Sequence, residues 1–216
     1  MNLPAGRVIH SGVKILIVYY SLYGHMFQLA KEAAAALAEV PGIEPVLRRV
    51  QEFDVVEKAI AQNDYMKQVR EAQKDVPVVT LEDVASADGY FFGSPTRFGN
   101  MAAQMKQLFD TMGGLWMQGA LENKPAGAFT STGSTHGGQE TTLFTMMAPL
   151  LHLGTIIVGI PYSTEGLAHT EARGASPYGA STIAGPRGEL QPAERDLFFV
   201  RVHAKRIAEV AKKLRG

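Results

Sequence analysis

Three short stretches concentrate the groups that could hold a ligand. They are Ser21-Leu22-Tyr23-Gly24-His25-Met26, Ser94-Pro95-Thr96-Arg97-Phe98-Gly99-Asn100 and Ser131-Thr132-Gly133-Ser134-Thr135-His136-Gly137-Gly138. Each mixes hydroxyl side chains with glycine. The first offers the Ser21 hydroxyl and backbone donors from Leu22 to Met26, and contains no lysine. That donor set suits a phosphate held by neutral N–H groups and a helix dipole. The two further loops can hydrogen-bond the edge of a flat ring. Tyr23, Phe98 and Trp116 are aromatic groups able to cover its faces.

Alternative phosphate chemistries are poorly served. The P-loop pattern G-x-x-x-x-G-K-[ST] is absent, and no G-x-G-x-x-G follows the first apolar run. Tyr20-Ser21 and Gly93-Ser94 stand where a phosphoryl-accepting receiver domain needs acidic groups. A nucleoside triphosphate would call for Mg²⁺ and a lysine. FMN fits the three loops better. Each residue also has a plain structural reading. Ser21 to Gly24 could be only a helix cap, Arg97 a surface ion pair, and His152 a capping or core histidine. Trp116 could belong to a core or an interface.

The elements around the loops are readable. Val13 to Tyr20 is a near-continuous apolar, β-branched run, the pattern of a strand buried on both faces. Phe27 to Leu37 has high helix propensity. Further strands are expected over Ile43–Val50, Asp88–Gly93, Pro125–Thr130 and Thr155–Ile160. Pro45 marks the second as an edge strand. Asn100 is expected to cap a helix whose Met101, Met105, Leu108, Phe109 and Met112 repeat at helical spacing, with Gly113-Gly114 closing it. Thr80 to Asp83 reads as a capping motif. Thr141–Leu153, bent by Pro149, and Pro192–Leu214 read as helices. Glu52–Lys74 reads as one or two helices of poor phase, and Pro161–Gln191 as a long loop of little regular structure. Five strands alternating with helices predict a doubly wound α/β sheet in one domain, residues 13–216, behind an N-terminal extension, residues 1–12. In such sheets ligands bind beyond the carboxyl ends of the strands. All three polar loops fall on that edge.

Composition excludes several classes. Lys plus Arg and Asp plus Glu are both 21, so the formal charge is zero and there is no footprint for nucleic acid or an acidic membrane. No apolar run approaches a bilayer span. The absence of cysteine rules out disulfides, Cys-ligated metals and thiol catalysis. The six histidines form no metal-ligand spacing, so no metal is expected. A cytoplasmic location is the expectation.

At this point a family likeness emerges. The chain resembles the WrbA-type NAD(P)H:quinone oxidoreductases, FMN proteins of flavodoxin-like fold with strand order 2-1-3-4-5. The likeness rests on Tyr19–His25, Gly93–Met101, Gly113–Trp116, Ser131–Gly133, Gly137–Glu140 and the run Arg173–Gly185, and it spans most of residues 13–214. It implies that Ser21, Leu22, Tyr23, Gly24, His25 and Met26 cradle the FMN phosphate. Pro95, Thr96, Arg97 and Phe98 would lie along the flavin. Ser131, Thr132, Gly133, Ser134, Thr135 and Gly137 would line its pyrimidine and ribityl side. It further implies that His152 reaches the flavin from another subunit of a homotetramer, that Trp116 flanks bound quinone, and that Tyr23 meets the nicotinamide nucleotide. The third loop is one residue longer than the family pattern, and nothing carries over to residues 51–79. The implied activity is two-electron reduction of quinones by NADH or NADPH, with both substrates sharing one site in ping-pong fashion. The competing readings are a flavodoxin-like electron carrier without turnover and a regulatory flavoprotein.

Overall fold

The computed structural model describes residues 12–168, 170 and 174–215. The expected N-terminal extension, apart from Gly12, and Arg173 lie outside them. Strand β1 (Val13–Tyr19) is the centre of construction. Its side chains alternate between two cores. Val13, Ile15, Ile17 and Tyr19 face one, with helices α1 (His25–Ala38) and α8 (Glu194–Arg215). Leu16 and Val18 face the other, which takes in α5 (Ala103–Thr111) and α7 (Gln139–His152). A strand covered on both faces needs apolar residues along its buried length, and this accounts for the run Ile15–Tyr20; Lys14 stands at the half-buried start.

The sheet has the order β2 (Ile43–Arg49), β1, β3 (Gly89–Pro95), β4 (Pro125–Thr132), β7 (Gly179–Ile183), β6 (Gly174–Ser176). Strand β2 (Ile43–Arg49) lies at the edge, where Pro45 is tolerated, and pairs in parallel with β1. Strands β3 (Gly89–Pro95) and β4 (Pro125–Thr132) continue the parallel array on the other side. Doubly wound α/β is therefore the class found, with a different strand count and order from the expected 2-1-3-4-5.

The difference lies in the fifth position, which two strands share. β5 is only Ile156–Ile157 and pairs with Pro125 and Ala126 at the start of β4. β7 (Gly179–Ile183) pairs with Phe129 to Thr132 at its end. Between them the chain leaves the sheet and returns through β6 (Gly174–Ser176), antiparallel to β7. Two glycines permit the exchange. A Cβ on Gly159 would stand 2.2 Å from the Pro177 oxygen, and one on Gly179 would stand 2.2 Å from the Ala128 oxygen. The expectation of a long irregular loop over Pro161–Gln191 is corrected accordingly. Gly-Ala-Ser-Thr-Ile is a fully buried strand, built of residues too small and polar to read as an apolar run.

Glu52–Lys74 forms two short helices, α2 (Asp54–Ile60) and α3 (Asp64–Glu71). Thr80 opens α4 (Leu81–Ser86) with a full capping box to Asp83. Asn100 does not cap α5. That place falls to Ala102, whose N–H donates to Ser94 Oγ at 2.8 Å, while the Asn100 side chain accepts from Met101 N–H. Gly113-Gly114 opens a further short helix, α6 (Gly113–Met117), rather than only closing α5. The helix α7 runs on through Pro149. Met101, Met105 and Met112 are buried core residues. Among the described residues, no helix is long and apolar enough to cross a membrane.

Candidate functional site

The carboxyl ends of β1, β3 and β4 open onto one cleft of about 370 Å³, within the range of small-molecule and cofactor sites. Ser21, Leu22, Tyr23, His25 and Met26 line it from the first loop. Pro95, Thr96 and Arg97 line it from the second, and Ser131, Thr132 and Gly133 from the third. Ala184 to Gly188, the segment after β7, closes the remaining side. The convergence expected of the three loops is thus realised on one sheet edge.

The first loop is organised to leave donors open. Gly24 takes a left-handed conformation, φ 94°, and its N–H donates to Ser21 Oγ at 3.1 Å. Gln28 N–H makes the first helical bond, to Gly24 O. Among the described residues, no acceptor takes the N–H of Leu22, Tyr23, His25 or Met26. These are orphan donors where the positive end of the α1 dipole lies. The His25 side chain faces away from this task. It is buried, and its Nε2–H donates to Leu190 O at 2.9 Å, which ties the loop after β7 to the start of α1.

The second and third loops are cross-braced. Thr96 N–H donates to Ser131 O at 2.9 Å, and Thr142 Oγ1 lies 2.9 Å from Thr96 Oγ1. Thr132 Oγ1 donates to Ser134 O. A Cβ on Gly137 would meet Ser134 O and Thr132 Cβ at 2.9 Å, so the third loop needs glycine to turn there. The Gly133 N–H has no acceptor among the described residues. Among the described residues no carboxylate lines the cleft, whereas Arg97 and Arg187 both do. Beneath Ser21, Tyr20 and Glu52 share the Gln104 amide, at 3.0 and 2.6 Å. Burial, with Glu52 adding to it, pushes the Tyr20 hydroxyl above its usual range, so it stays a neutral phenol.

Several expected residues stand elsewhere. Phe98 has φ 54° and its side chain is fully exposed at the tip of the Arg97–Asn100 turn, outside the cleft lining. Ser134, Thr135 and Gly137 lie beyond the cleft rim, the first two exposed. His152 and Trp116 line a second, shallow cleft of about 440 Å³ with Lys106, Phe109, Asp110 and Pro149. His152 ends the 14-residue helix that starts beside the third loop. It is therefore carried about 20 Å from the first cleft along α7. Trp116 is 58% exposed and Met117 82%. The sequence reading missed Gly185, Pro186, Arg187 and Gly188. Their signal was the Gly-Pro-Arg-Gly turn that begins on the last residue of the last motif of the family likeness.

With this geometry established, the relatives can be compared. Residues 13–169 match the family model of NADPH-dependent FMN reductases. A protein of Geobacter sulfurreducens named NAD(P)H dehydrogenase (quinone) is 49% identical over 208 residues, covering 94% of this chain and 100% of that protein. One of the same name from Geobacter metallireducens is 47% identical with the same coverage. Among solved structures, a flavodoxin-class, WrbA-like protein from Agrobacterium tumefaciens superposes with a TM-score of 0.64 at 19% identity, over 94% of this chain and 99% of that one. This likeness shows the flavodoxin-like fold. The family match and the full-length relatives near half identity place the chain in the NADPH-dependent FMN reductase family.

Proposed function

We propose that this protein is an FMN-dependent NAD(P)H:quinone oxidoreductase. The observation that carries the reading is the first cleft. Orphan N–H groups at the α1 N-terminus face a space walled by two further Ser/Thr/Gly loops and two arginines, with no carboxylate among its lining. These residues fit FMN. A phosphate dianion suits the donors of Leu22, Tyr23, His25 and Met26 with the Ser21 hydroxyl, whose oxygen already accepts from Gly24. The hydroxyl of Thr96 and the N–H of Gly133 suit the polar edge of a flavin ring. Arg97 adds fixed positive charge beside it.

When bound, FMN supplies the redox chemistry, so that NAD(P)H, a quinone and a proton yield NAD(P)⁺ and a hydroquinone. The chain's part is binding, orientation and electrostatics. The Gly133 N–H, fixed by the backbone, and the braced Thr96 hydroxyl would need no reorganisation to stabilise negative charge on a flavin edge bound beside them. Tyr23, half exposed at the cleft mouth, is placed to meet a nucleotide. Nicotinamide and quinone would enter by the same mouth in turn, which predicts ping-pong kinetics.

The reading extends to a cytoplasmic homotetramer in which His152 and Trp116 come to the cleft from a neighbouring copy. The position of His152, about 20 Å along α7 from the cleft of its own chain, supports this, and Trp116 lines the same second cleft. So does the exposure of Trp116, Met117 and Leu151 around them. The test is anaerobic. NAD(P)H is expected to bleach the flavin of the purified protein, and added benzoquinone to restore its colour with steady turnover. Bleaching without restoration by any quinone would leave an electron carrier instead.

A further inference from the structure

Residues 51–79 have no role in the family likeness, yet they stand directly behind the anion-binding loop. Ser21 and Leu22 line the main cleft on one side. On the other they line a small cavity with Glu52, Ile60, Met66 and Arg70. Gln73 stands in that cavity, only 3% exposed. Its Nε2 donates to Ser21 O at 3.1 Å and to Val69 O at 2.9 Å. Both amide protons are thereby used, and two carbonyl acceptors fix which way the amide faces. Tyr65 donates its hydroxyl to Tyr23 O at 3.0 Å. Val69 packs on the same loop, 3.6 Å from where a Cβ on Gly24 would be. The element is braced for this. Asn63 caps α3 through Met66 N–H, and Arg70 of α3 pairs with Glu57 of α2.

We propose that Gln73 and Tyr65 are positioning residues that aim the donors of the Ser21–Met26 loop into the cleft. The argument is the planarity of the peptide unit. A carbonyl and the N–H that follows it point in opposite directions. Holding Ser21 O from behind turns the Leu22 N–H forward, away from Gln73 and toward the cleft. Holding Tyr23 O orients the Gly24 N–H, which donates to Ser21 Oγ. The Ser21 oxygen is then an acceptor within the loop, and its own proton is free for a ligand oxygen. Two side chains from a region with no apolar signal of its own thus set the direction of the anion donors.

This inference rests on the reading of the loop as the FMN phosphate site. It predicts a selective defect: affinity for FMN falls, while affinity for riboflavin, which lacks the phosphate, does not. The experiment titrates the full-length flavin-free chain with FMN and with riboflavin, following quenching of flavin fluorescence. Wild type, Tyr65→Phe and Gln73→Leu are compared. The expected result is a rise in the FMN dissociation constant of about threefold for Tyr65→Phe and about tenfold or more for Gln73→Leu, with riboflavin unchanged. Tyr65 is half exposed, so Tyr65→Phe folds and decides the matter even where Gln73→Leu does not. Equal losses for both flavins would mean a merely structural role and overturn the proposal. So would an unchanged FMN constant in a folded variant. A wild type that binds FMN no better than riboflavin sinks the phosphate-site reading itself, and this inference with it.

Discussion

The two clefts at opposite ends of α7 are built by different means. The first is made of backbone. Its donors are N–H groups held by turns, by the Ser21 hydroxyl and by cross-loop bonds from Thr96 and His25, and its lining comes from one chain. The second is made of side chains. Trp116, His152 and Lys106 stand around an open floor, with Met117 and Leu151 exposed beside it. A backbone site is costly to build and hard to disturb, because every donor is tied to the sheet. A side-chain site is cheap to alter and takes its shape from whatever covers it. The contrast teaches that one chain gathers the backbone donors of the first cleft, whereas the second surface leaves large apolar side chains exposed.

The strongest way to break the comparison is to strike the sheet under the first cleft. Gly93, in β3 just before the second loop, leaves room for the Phe129 ring. A Cβ there would stand 2.1 Å from Phe129 Cζ, and Phe129 is itself fully buried against Phe91. Gly93→Ala is expected to cost about 3 kcal/mol of stability, at the upper end for overpacking, read from urea unfolding. FMN affinity should fall with it, since Pro95 and Thr96 follow directly from the same strand. An unchanged midpoint would show that the ring can swing aside and that the first cleft is softer than its bonding suggests.

Acid attacks the same scaffold. His203 of α8 is wholly buried, its Nε2–H donates to Val158 O at 2.7 Å, and its ring meets Phe91 edge-on. Burial holds its pKa down at about 4, against the pull of the Val158 carbonyl. The folded protein therefore keeps it neutral where the unfolded chain, near 6.5, takes up a proton. Stability from this group is full above about pH 6.5 and is lost as pH falls toward 4. The loss amounts to about 3 kcal/mol. Urea midpoints between pH 7 and 4.5 should fall less steeply for His203→Gln than for wild type. Parallel slopes would remove His203 from the account.

A smaller change tests the cleft without the sheet. Ser21→Ala removes the acceptor of the Gly24 N–H and a donor to the phosphate. Calorimetric titration with FMN is expected to show a loss of about tenfold, the worth of about one hydrogen bond to a charged group. Unfolding of the flavin-free chain should shift by about 1 kcal/mol, as for one lost intramolecular hydrogen bond. A large stability change with intact FMN binding would mean that Ser21 serves the helix and not the ligand.

What could be read from the sequence divides along the same line. The first cleft was readable because strand burial and loop composition are local. Ile15–Tyr19 is apolar at every position, with only Lys14 interrupting the strand at its start, and each of β1, β3 and β4 leads into hydroxyl and glycine residues. The split fifth strand was not readable. Whether Ile156–Ile157 or Gly179–Ile183 pairs with the far end of β4 depends on two close backbone approaches, at Gly159 and Gly179, that no periodicity encodes. Residues 51–79 were obscure for another reason. The helix α3 fully buries none of its residues and, of its apolar side chains, turns only Met66 and Val69 partly inward, so its apolar face is too short to stand out. Asn100 was expected as a cap on residue type alone, whereas Phe98 was placed at the flavin by the family likeness and stands outside the cleft lining of the single chain. The left-handed turn at Phe98 points that ring outward, and the cap fell two residues later.

The second cleft gives the finest test, because its expected effect on the fold is the smallest. Trp116 sits in a five-residue helix that buries nothing, and its ring is more than half exposed. Trp116→Ala should therefore change unfolding of the dilute single chain by no more than about 0.5 kcal/mol. Its effect should appear between copies. Light scattering over a dilution series is expected to show the assembly dissociating at higher protein concentration than wild type. In the assembled enzyme the KM for quinone should rise more than kcat falls, since the residue would bind substrate equally in ground and transition states. FMN affinity should stay unchanged, because the first cleft is complete without it. A fall in FMN affinity in the single chain would join the two clefts into one site and undo the contrast. Unchanged assembly together with unchanged quinone KM would leave Trp116 a surface residue and return the second cleft to bare solvent.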